Sequence, residues 1–125
     1  MSMVIVLFRS RLTDTAHEEG YPDMAVEMLE RAKTMPGFVD FRSYKADDGE
    51  RLSVVWWRDE ETLARWREDV RHLVAQRLGR EKWYESYSIE VAHVVRSRAF
   101  DRQAQQDSTG REQSFKDHNG TYSPP

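Results

Sequence analysis

Two spacings of apolar residues alternate along this chain, and each change of spacing marks the border of an element. Residues 3–11 are almost continuously apolar and rich in β-branched side chains, which is typical of a strand covered on both faces. From Tyr21 onward the apolar residues recur at steps of three and four, which predicts an amphipathic helix. The sequence Met35-Pro36-Gly37 ends this helix, because proline cannot continue it and glycine permits a positive φ.

Two strands joined by a tight turn are predicted to follow this helix. Residues Phe38–Lys45 alternate between apolar and polar side chains, which predicts the second strand. Asp48-Gly49 is the strongest short hairpin signal in the chain. We therefore expect Leu52–Trp57 to return antiparallel to the second strand as the third.

The remainder of the domain is predicted to be one long helix and one strand. Asp59 is a favourable N-cap, and an apolar stripe at helical spacing follows over residues 63–78. We predict one helix there, with Gly79 as its C-cap. A last strand is predicted over residues 84–97.

The resulting order of elements, β-α-β-β-α-β, predicts an α+β, ferredoxin-like domain with a four-stranded antiparallel sheet over residues 1–97. Two helices cover only one face of such a sheet, yet the first strand is apolar on both faces, with Val6 on one and Ile5 and Leu7 on the other. Exposing the second face would leave a larger apolar patch than monomers usually carry. We predict a homodimer that packs sheet against sheet into an α+β barrel.

Residues 98–125 are predicted to be a polar tail outside the domain. Large apolar residues are rare in this segment, so it cannot offset its own ordering entropy, and we expect it to be disordered or ordered only against a partner. The alternative to the predicted dimer is that this tail covers the second face of the sheet.

Composition narrows the function classes. The net charge is −3, with 19 basic and 22 acidic residues, so no basic field draws in nucleic acid or acidic membranes. There are no cysteines, no export signal is recognisable at the N-terminus, and no stretch approaches the ~20 apolar residues of a membrane span. We therefore expect a cytoplasmic protein. RNA-recognition domains share the strand order, but Leu52–Trp57 lacks the Arg/Lys-Gly-Phe pattern of their aromatic platform.

Several of these elements together resemble the antibiotic biosynthesis monooxygenase (ABM) family of dimeric α+β barrel proteins. The resemblance rests on Met35-Pro36-Gly37-Phe38, on the run Trp56-Trp57-Arg58-Asp59-Glu60, and on Trp66, His72 and the closing strand. It implies a homodimer of ferredoxin-like halves, each with a pocket between its sheet and helices. Some members oxygenate aromatic polyketides with O₂ and no cofactor, others degrade haem, and many have no assigned activity.

The haem-degrading branch fits this sequence poorly. The resemblance to that branch calls for a tryptophan in the second helix, which Trp66 supplies. It also calls for an asparagine in the first strand and a histidine ten residues after the tryptophan as iron ligand, and these positions hold Phe8 and Gln76. No pair of histidines has metal-ligand spacing either, so we expect no metal and no cofactor.

The cofactor-free oxygenase that the resemblance implies needs an apolar pocket, a base with a pKa near neutrality and a group that holds an anion. We expect Trp66 to stack on an aromatic substrate, His72 or His93 to take its proton, and Arg9 to stabilise the resulting anion. Catalytic roles thus fall to His72, Trp66 and Arg9. The expected substrate-binding residues are Phe8, Tyr44, Trp56, Gln76 and His93.

Each candidate has an alternative role that the sequence leaves open. On an unbroken helix, His72 lies on the solvated side near Glu68, and a kink in the helix would be needed to turn it inward. His93 sits between apolar strand neighbours as a core or interface histidine would, and Trp66 falls on the core stripe. A non-enzymatic dimer that binds a small molecule is the alternative function.

Overall fold

A computed structural model describes residues 2–103 of the chain, and these divide after residue 93 into two units, 2–93 and 94–103. Every strand in the described part belongs to the first unit. The elements, in chain order, are β1 (Val4–Leu12), α1 (Tyr21–Lys33), β2 (Phe38–Lys45), β3 (Arg51–Trp57), α2 (Glu60–Arg67), α3 (Val70–Leu78) and β4 (Tyr84–His93), with a π-helical turn at Gly79–Trp83 before β4. Most of the predicted tail lies outside the described residues, and its boundary at residue 97 stays a prediction.

The four strands form one antiparallel sheet in the order β2-β3-β1-β4, which confirms the ferredoxin-like α+β fold. β1 is a central strand, and its first residue, Val4, pairs with Trp57 on one side and with His93 on the other. The predicted last strand is too long for this reason. β4 ends at His93, which pairs with Val4, the first residue of β1.

The helices lie on one side of the sheet, which we call the helix side; the opposite face is the outer side. Side chains alternate between the two along each strand. The core on the helix side is built around fully buried Val4 and Trp57, with Ala32 of α1 and Leu63 and Trp66 of α2 packed against them. Even-numbered residues of β1 therefore face the helices, and odd-numbered residues face the outer side.

The turn between α1 and β2 is fastened to the beginning of α2. Gly37 has a φ of 91°, and a Cβ built on it would lie 2.3 Å from the side chain of Thr62. Its carbonyl accepts a hydrogen bond from the Arg58 amide at 2.7 Å. Thr62 is 1% exposed and completes a capping box with Asp59, the predicted N-cap. Glycine is thus required at position 37 twice, by its backbone conformation and by lack of space.

The predicted second helix is divided into two, α2 and α3, by a break at residues 68 and 69. α2 ends at Arg67 with Glu68 as its C-cap, and Asp69 starts α3 as an N-cap in extended conformation, with φ −63° and ψ 133°. The carboxylate of Asp69 accepts hydrogen bonds from the amides of Arg71 and His72, at 3.0 and 3.1 Å. Aspartate competes with the helix backbone in this way, which is why it favours N-caps over helix interiors.

Gly79 follows α3, as predicted, but in right-handed helical conformation, with φ −60°. The chain continues from it into the π-helical turn instead of stopping. A Cβ at this position would lie 2.6 Å from the ring of Tyr84. The glycine is therefore explained by the close approach of an aromatic ring, and not by a left-handed C-cap.

The Gly37 contact gives a stability prediction with a matched control. Gly20 has nearly the same φ, 95°, but a Cβ there would meet nothing within 4 Å. Gly20→Ala should cost ~1–2 kcal/mol from backbone strain alone. Gly37→Ala should cost about 1–3 kcal/mol more, because it also overpacks against Thr62. Urea unfolding at unchanged m-value measures both, and equal losses would contradict the close contact.

Candidate functional site

Three stacked rings on the helix side form the most distinctive side-chain arrangement of the described chain. Trp57 of β3 lies against Trp66 of α2, with ring centroids 6.1 Å apart and planes 26° apart. The imidazole of His72 lies on Trp66, with centroids 4.3 Å apart and planes 20° apart. Trp66 is 9% exposed, so its ring belongs to the core and at the same time supports the histidine.

The hydrogen bond of the His72 ring defines its tautomer. Nδ1 lies 3.1 Å from the carbonyl oxygen of Trp66. A carbonyl oxygen only accepts, so Nδ1 carries the proton and donates it, and the lone pair of the neutral ring is on Nε2. Burial lowers the pKa of His72 below its usual range, against the opposing effects of the Trp66 carbonyl and the Asp69 carboxylate. His72 is therefore neutral at pH 7, with a basic nitrogen whose position is set by the backbone.

Two ion pairs join α1 to α3 beside this stack. Arg31 donates to the carboxylate of Asp69 at 2.7 Å, and Arg71 forms a two-pronged pair with Glu27 at 2.8 and 2.9 Å. The sequence pattern did not predict a role in the site for any of these four residues. The usable signal was Asp69 itself, an aspartate in the middle of a predicted helix.

A second aromatic group lies on the helix side, near the beginning of α1. The ring of Phe8 packs against Tyr84 and Tyr87, with centroids 5.3 and 5.4 Å away. Tyr21 of α1 packs against Tyr84 and against Trp83 of the π-helical turn. Burial raises the pKa of Tyr84 far above its usual range, so its phenol stays protonated. Of the predicted substrate-binding residues, Phe8 is thus on the same side of the sheet as Trp66 and His72.

Arg9 does not join Trp66 and His72. It follows Phe8 in β1 and therefore points to the outer side. Its guanidinium donates to both carboxylate oxygens of Glu50, at 3.1 and 3.2 Å, which holds its pKa above the usual value. An arginine on the opposite face cannot hold an anion formed beside His72, so the structure does not support that expected role.

Trp56 and Tyr44 are also on the outer side. Trp56 pairs with Ile5 of β1, and Tyr44 pairs with Leu52, which pairs with Arg9. Trp56 is 9% exposed and Tyr44 is 47% exposed. The tryptophan of β3 that contacts Trp66 is Trp57, which points to the helix side. Trp56, the expected substrate-binding residue, points to the opposite face.

The remaining predicted residues lie on the helix side. His93, at the end of β4, forms a side-chain pair with Glu60 at the start of α2, and both side chains are more than half exposed. Gln76 is half-buried in α3. β4 also presents a row of half-exposed apolar side chains on this side, namely Tyr87, Ile89 and Val91.

Neither a membrane-spanning helix nor a metal site is found within residues 2–103, the part of the chain that the structure describes. The helices in this stretch are all too short or too polar to cross a lipid bilayer. No group of three or more histidine, aspartate and glutamate side chains within the stretch is arranged to bind a metal ion.

These observations define a class of protein. It is a ferredoxin-like domain in which a neutral histidine is stacked on a tryptophan from a helix. The sequence profile described as "Antibiotic biosynthesis monooxygenase" matches residues 3–78. The protein belongs to this ABM family, which confirms the resemblance seen in the sequence.

Individual relatives support this membership. The uncharacterised protein YqjZ of Bacillus subtilis is 35% identical over 95 residues, which cover 76% of this chain and 82% of YqjZ. Jasmonate monooxygenase ABM of Pyricularia oryzae is 33% identical over 97 residues, 76% of this chain but only 45% of that protein. The fold is shared with SnoaB of Streptomyces nogalater, described as a cofactor-independent oxygenase, with a TM-score of 0.65 at 13% identity over 77% of this chain and 96% of SnoaB.

The burial of His72 predicts a pH dependence of stability. Since the folded state lowers the pKa of this group from 6.5, the unfolded state binds more protons, and stability falls as the pH is lowered through the interval between the two values. His72→Gln should make the decline between about pH 7 and 5 shallower. Urea unfolding across this range checks it, with the ring C–H resonances of His72 followed by NMR. A midpoint at or above 6.5 would contradict the buried, neutral ring.

Proposed function

We propose that this protein is a monooxygenase that uses O₂, without a cofactor, on an aromatic small molecule that can be oxidised to a quinone. Membership of the ABM family supports monooxygenase chemistry in general. The observation that carries the specific proposal is the neutral His72 ring, fixed with Nε2 as its basic nitrogen and stacked on Trp66. Such a ring is suited to take a proton from a weakly acidic substrate at neutral pH.

The proposed reaction needs no electron donor other than the substrate. His72 Nε2 removes a proton from an activated CH₂ between aromatic rings, as in an anthrone, and leaves a delocalised carbanion. The carbanion reduces O₂ and combines with it to a hydroperoxide. Loss of the second C–H proton and cleavage of the O–O bond leave a carbonyl group and water. One oxygen atom enters the product and the other enters water, so CH₂ and O₂ become C=O and H₂O.

The apolar surface of the helix side supports an aromatic substrate. Ile89 and Val91 of β4 are 50% and 48% exposed on this side, and Leu73 of α3 is 48% exposed. Apolar side chains left open beside polar groups are typical of ligand-binding surfaces. We assign Phe8 and Gln76 to substrate contact, on their location on this side. Trp66 lies between the rings of Trp57 and His72, so we assign it to support of the histidine and not to substrate stacking.

We further propose that the protein acts as a homodimer joined through the outer side. Ile5, Leu7, Val54 and Trp56 alternate with the core residues of β1 and β3 and make this face apolar too. The helix residues of the core cluster, Ala32, Leu63 and Trp66, pack against the other face. A cytoplasmic location stays a prediction from the sequence.

Oxygen consumption tests the proposed activity. The purified protein, incubated with a panel of anthrones and hydroquinones, should consume O₂, and an anthrone should be converted to its anthraquinone with one oxygen atom taken from O₂. His72→Gln should lower kcat by ~10²–10⁴-fold, the usual contribution of a general base. His17→Gln is the matched control, since His17 is exposed in the turn region before α1, and it should leave kcat unchanged.

Two results would contradict the proposed activity. One is the absence of O₂ uptake above the blank with every compound, and recovery of a co-purified ligand unchanged would then favour the non-enzymatic binding dimer. The other is full activity of a correctly folded His72→Gln variant. That result would remove the histidine from the reaction and leave the family membership intact.

The dimer is tested by one charge on the outer side. Leu7 pairs with Val54 and with Glu90, so Leu7→Glu buries a carboxylate beside a like charge if the face is an interface. Light scattering after size exclusion should give twice the mass of one chain for the wild type and the mass of one chain for Leu7→Glu. Val26→Glu, at an exposed position of α1, is the control and should remain dimeric. A monomeric wild type would contradict this part of the proposal.

A further inference from the structure

The position of the His72 ring depends on the break between α2 and α3. On an unbroken helix, six residues rise about 9 Å and turn about 600°, so the side chains of residues 66 and 72 would point in different directions far apart. The ring centroids of Trp66 and His72 are nevertheless 4.3 Å apart, and Nδ1 lies 3.1 Å from the Trp66 carbonyl. Both contacts require that α3 start anew after Trp66.

The break is fixed by one oxygen atom. Oδ1 of Asp69 accepts from the amides of Arg71 and His72, at 3.0 and 3.1 Å, and from Nε of Arg31 at 2.7 Å. The side chain of Asp69 is 10% exposed. The amide of Asp69 in turn donates to the same Trp66 carbonyl that accepts from His72, at 3.1 Å. Asp69 therefore forms hydrogen bonds to two groups that hold His72. One is the backbone amide of His72, and the other is the Trp66 carbonyl that accepts from the His72 ring.

Arg31 keeps this carboxylate ionised and in place. Its hydrogen bond is the main cause that holds the pKa of Asp69 below the usual range. The neighbouring pair of Glu27 and Arg71 joins the same two helices without touching the Asp69 carboxylate through either side chain. Glu27 and Arg31 on α1, with Asp69 and Arg71 on α3, are thus the charged groups of this contact.

We propose that Asp69, held by Arg31, is the positioning residue of the site: it sets the orientation and the tautomer of His72 and thereby makes Nε2 the base. The inference rests on the proposed function for the role of Nε2, but the positioning itself is a property of the folded protein. It can be measured without any substrate.

The test is the state of the His72 ring in the full chain, read by ¹⁵N–¹H NMR of the imidazole and by its pH titration. In the wild type, the ring should be the Nδ1–H tautomer. In Asp69→Ala, the ring should leave the stack, lose this single tautomer and shift its pKa upward toward 6.5. Asp69→Asn retains an oxygen that can cap α3, so it should preserve the tautomer. Arg31→Gln should give an intermediate loss.

Glu27→Gln is the matched control, because it removes an ion pair between the same helices and leaves Asp69 untouched. It should keep the wild-type tautomer and titration. The direction of the shift in Asp69→Ala is decisive, since the carboxylate by itself raises the pKa of His72. A pKa that falls further, with the tautomer retained, would mean that the ring stays in place without the carboxylate and would overturn the proposal.

The two proposals fail separately. If the wild type consumes no O₂ but Asp69→Ala changes the tautomer of His72, the proposed function is wrong and the positioning role stands. If O₂ is consumed and Asp69→Ala leaves the histidine resonances unchanged in a folded protein, the positioning role is wrong and the function stands. With both intact, kcat should fall in Asp69→Ala by the same factor as in His72→Gln, within tenfold, and recover in Asp69→Asn.

Discussion

Where α2 ends and α3 begins, a single carboxylate oxygen accepts hydrogen bonds from two backbone amides and one guanidinium. An aspartate that is 10% exposed would be costly without such partners, because a desolvated charge needs compensation. The compensation comes from the first turn of α3 and from α1 together. The direction of α3, its attachment to α1 and the location of His72 beside Trp66 all depend on this one group.

The sequence was sufficient for the fold wherever local signals and the apolar pattern agree. Asp48-Gly49 marked the hairpin, and β2 has the predicted bounds, Phe38–Lys45. The length of β4 could not be predicted in the same way, because it depends on where β1 begins across the sheet. Strand ends are set by partners that are distant in sequence, and the pattern of a single strand does not contain them.

The candidate site was predictable in part, for a related reason. Trp66 and His72 could be named from the resemblance, but their contact arises from the break at Asp69, which the helical pattern concealed by continuing through it. Arg9 was predicted to be a site residue because it is a charged residue in an apolar strand. The alternation of side chains, once the helix side was known, placed it on the other face with Glu50. Chemical type can be read from a sequence, whereas the choice of face requires knowing which face the helices cover.

The stacking of His72 on Trp66 has a consequence for the moment after a proton has been taken up. A cation over the face of an indole ring is attracted by the negative charge of its π-system, by ~0.5–2 kcal/mol at ring distances below about 6 Å. The imidazole centroid is 4.3 Å from that of Trp66. An imidazolium formed there would therefore be held by a cation–π interaction that the neutral ring lacks. The indole of Trp66, which supports the neutral His72 ring, would also stabilise the protonated ring until its proton is transferred to the oxygen atom that leaves as water.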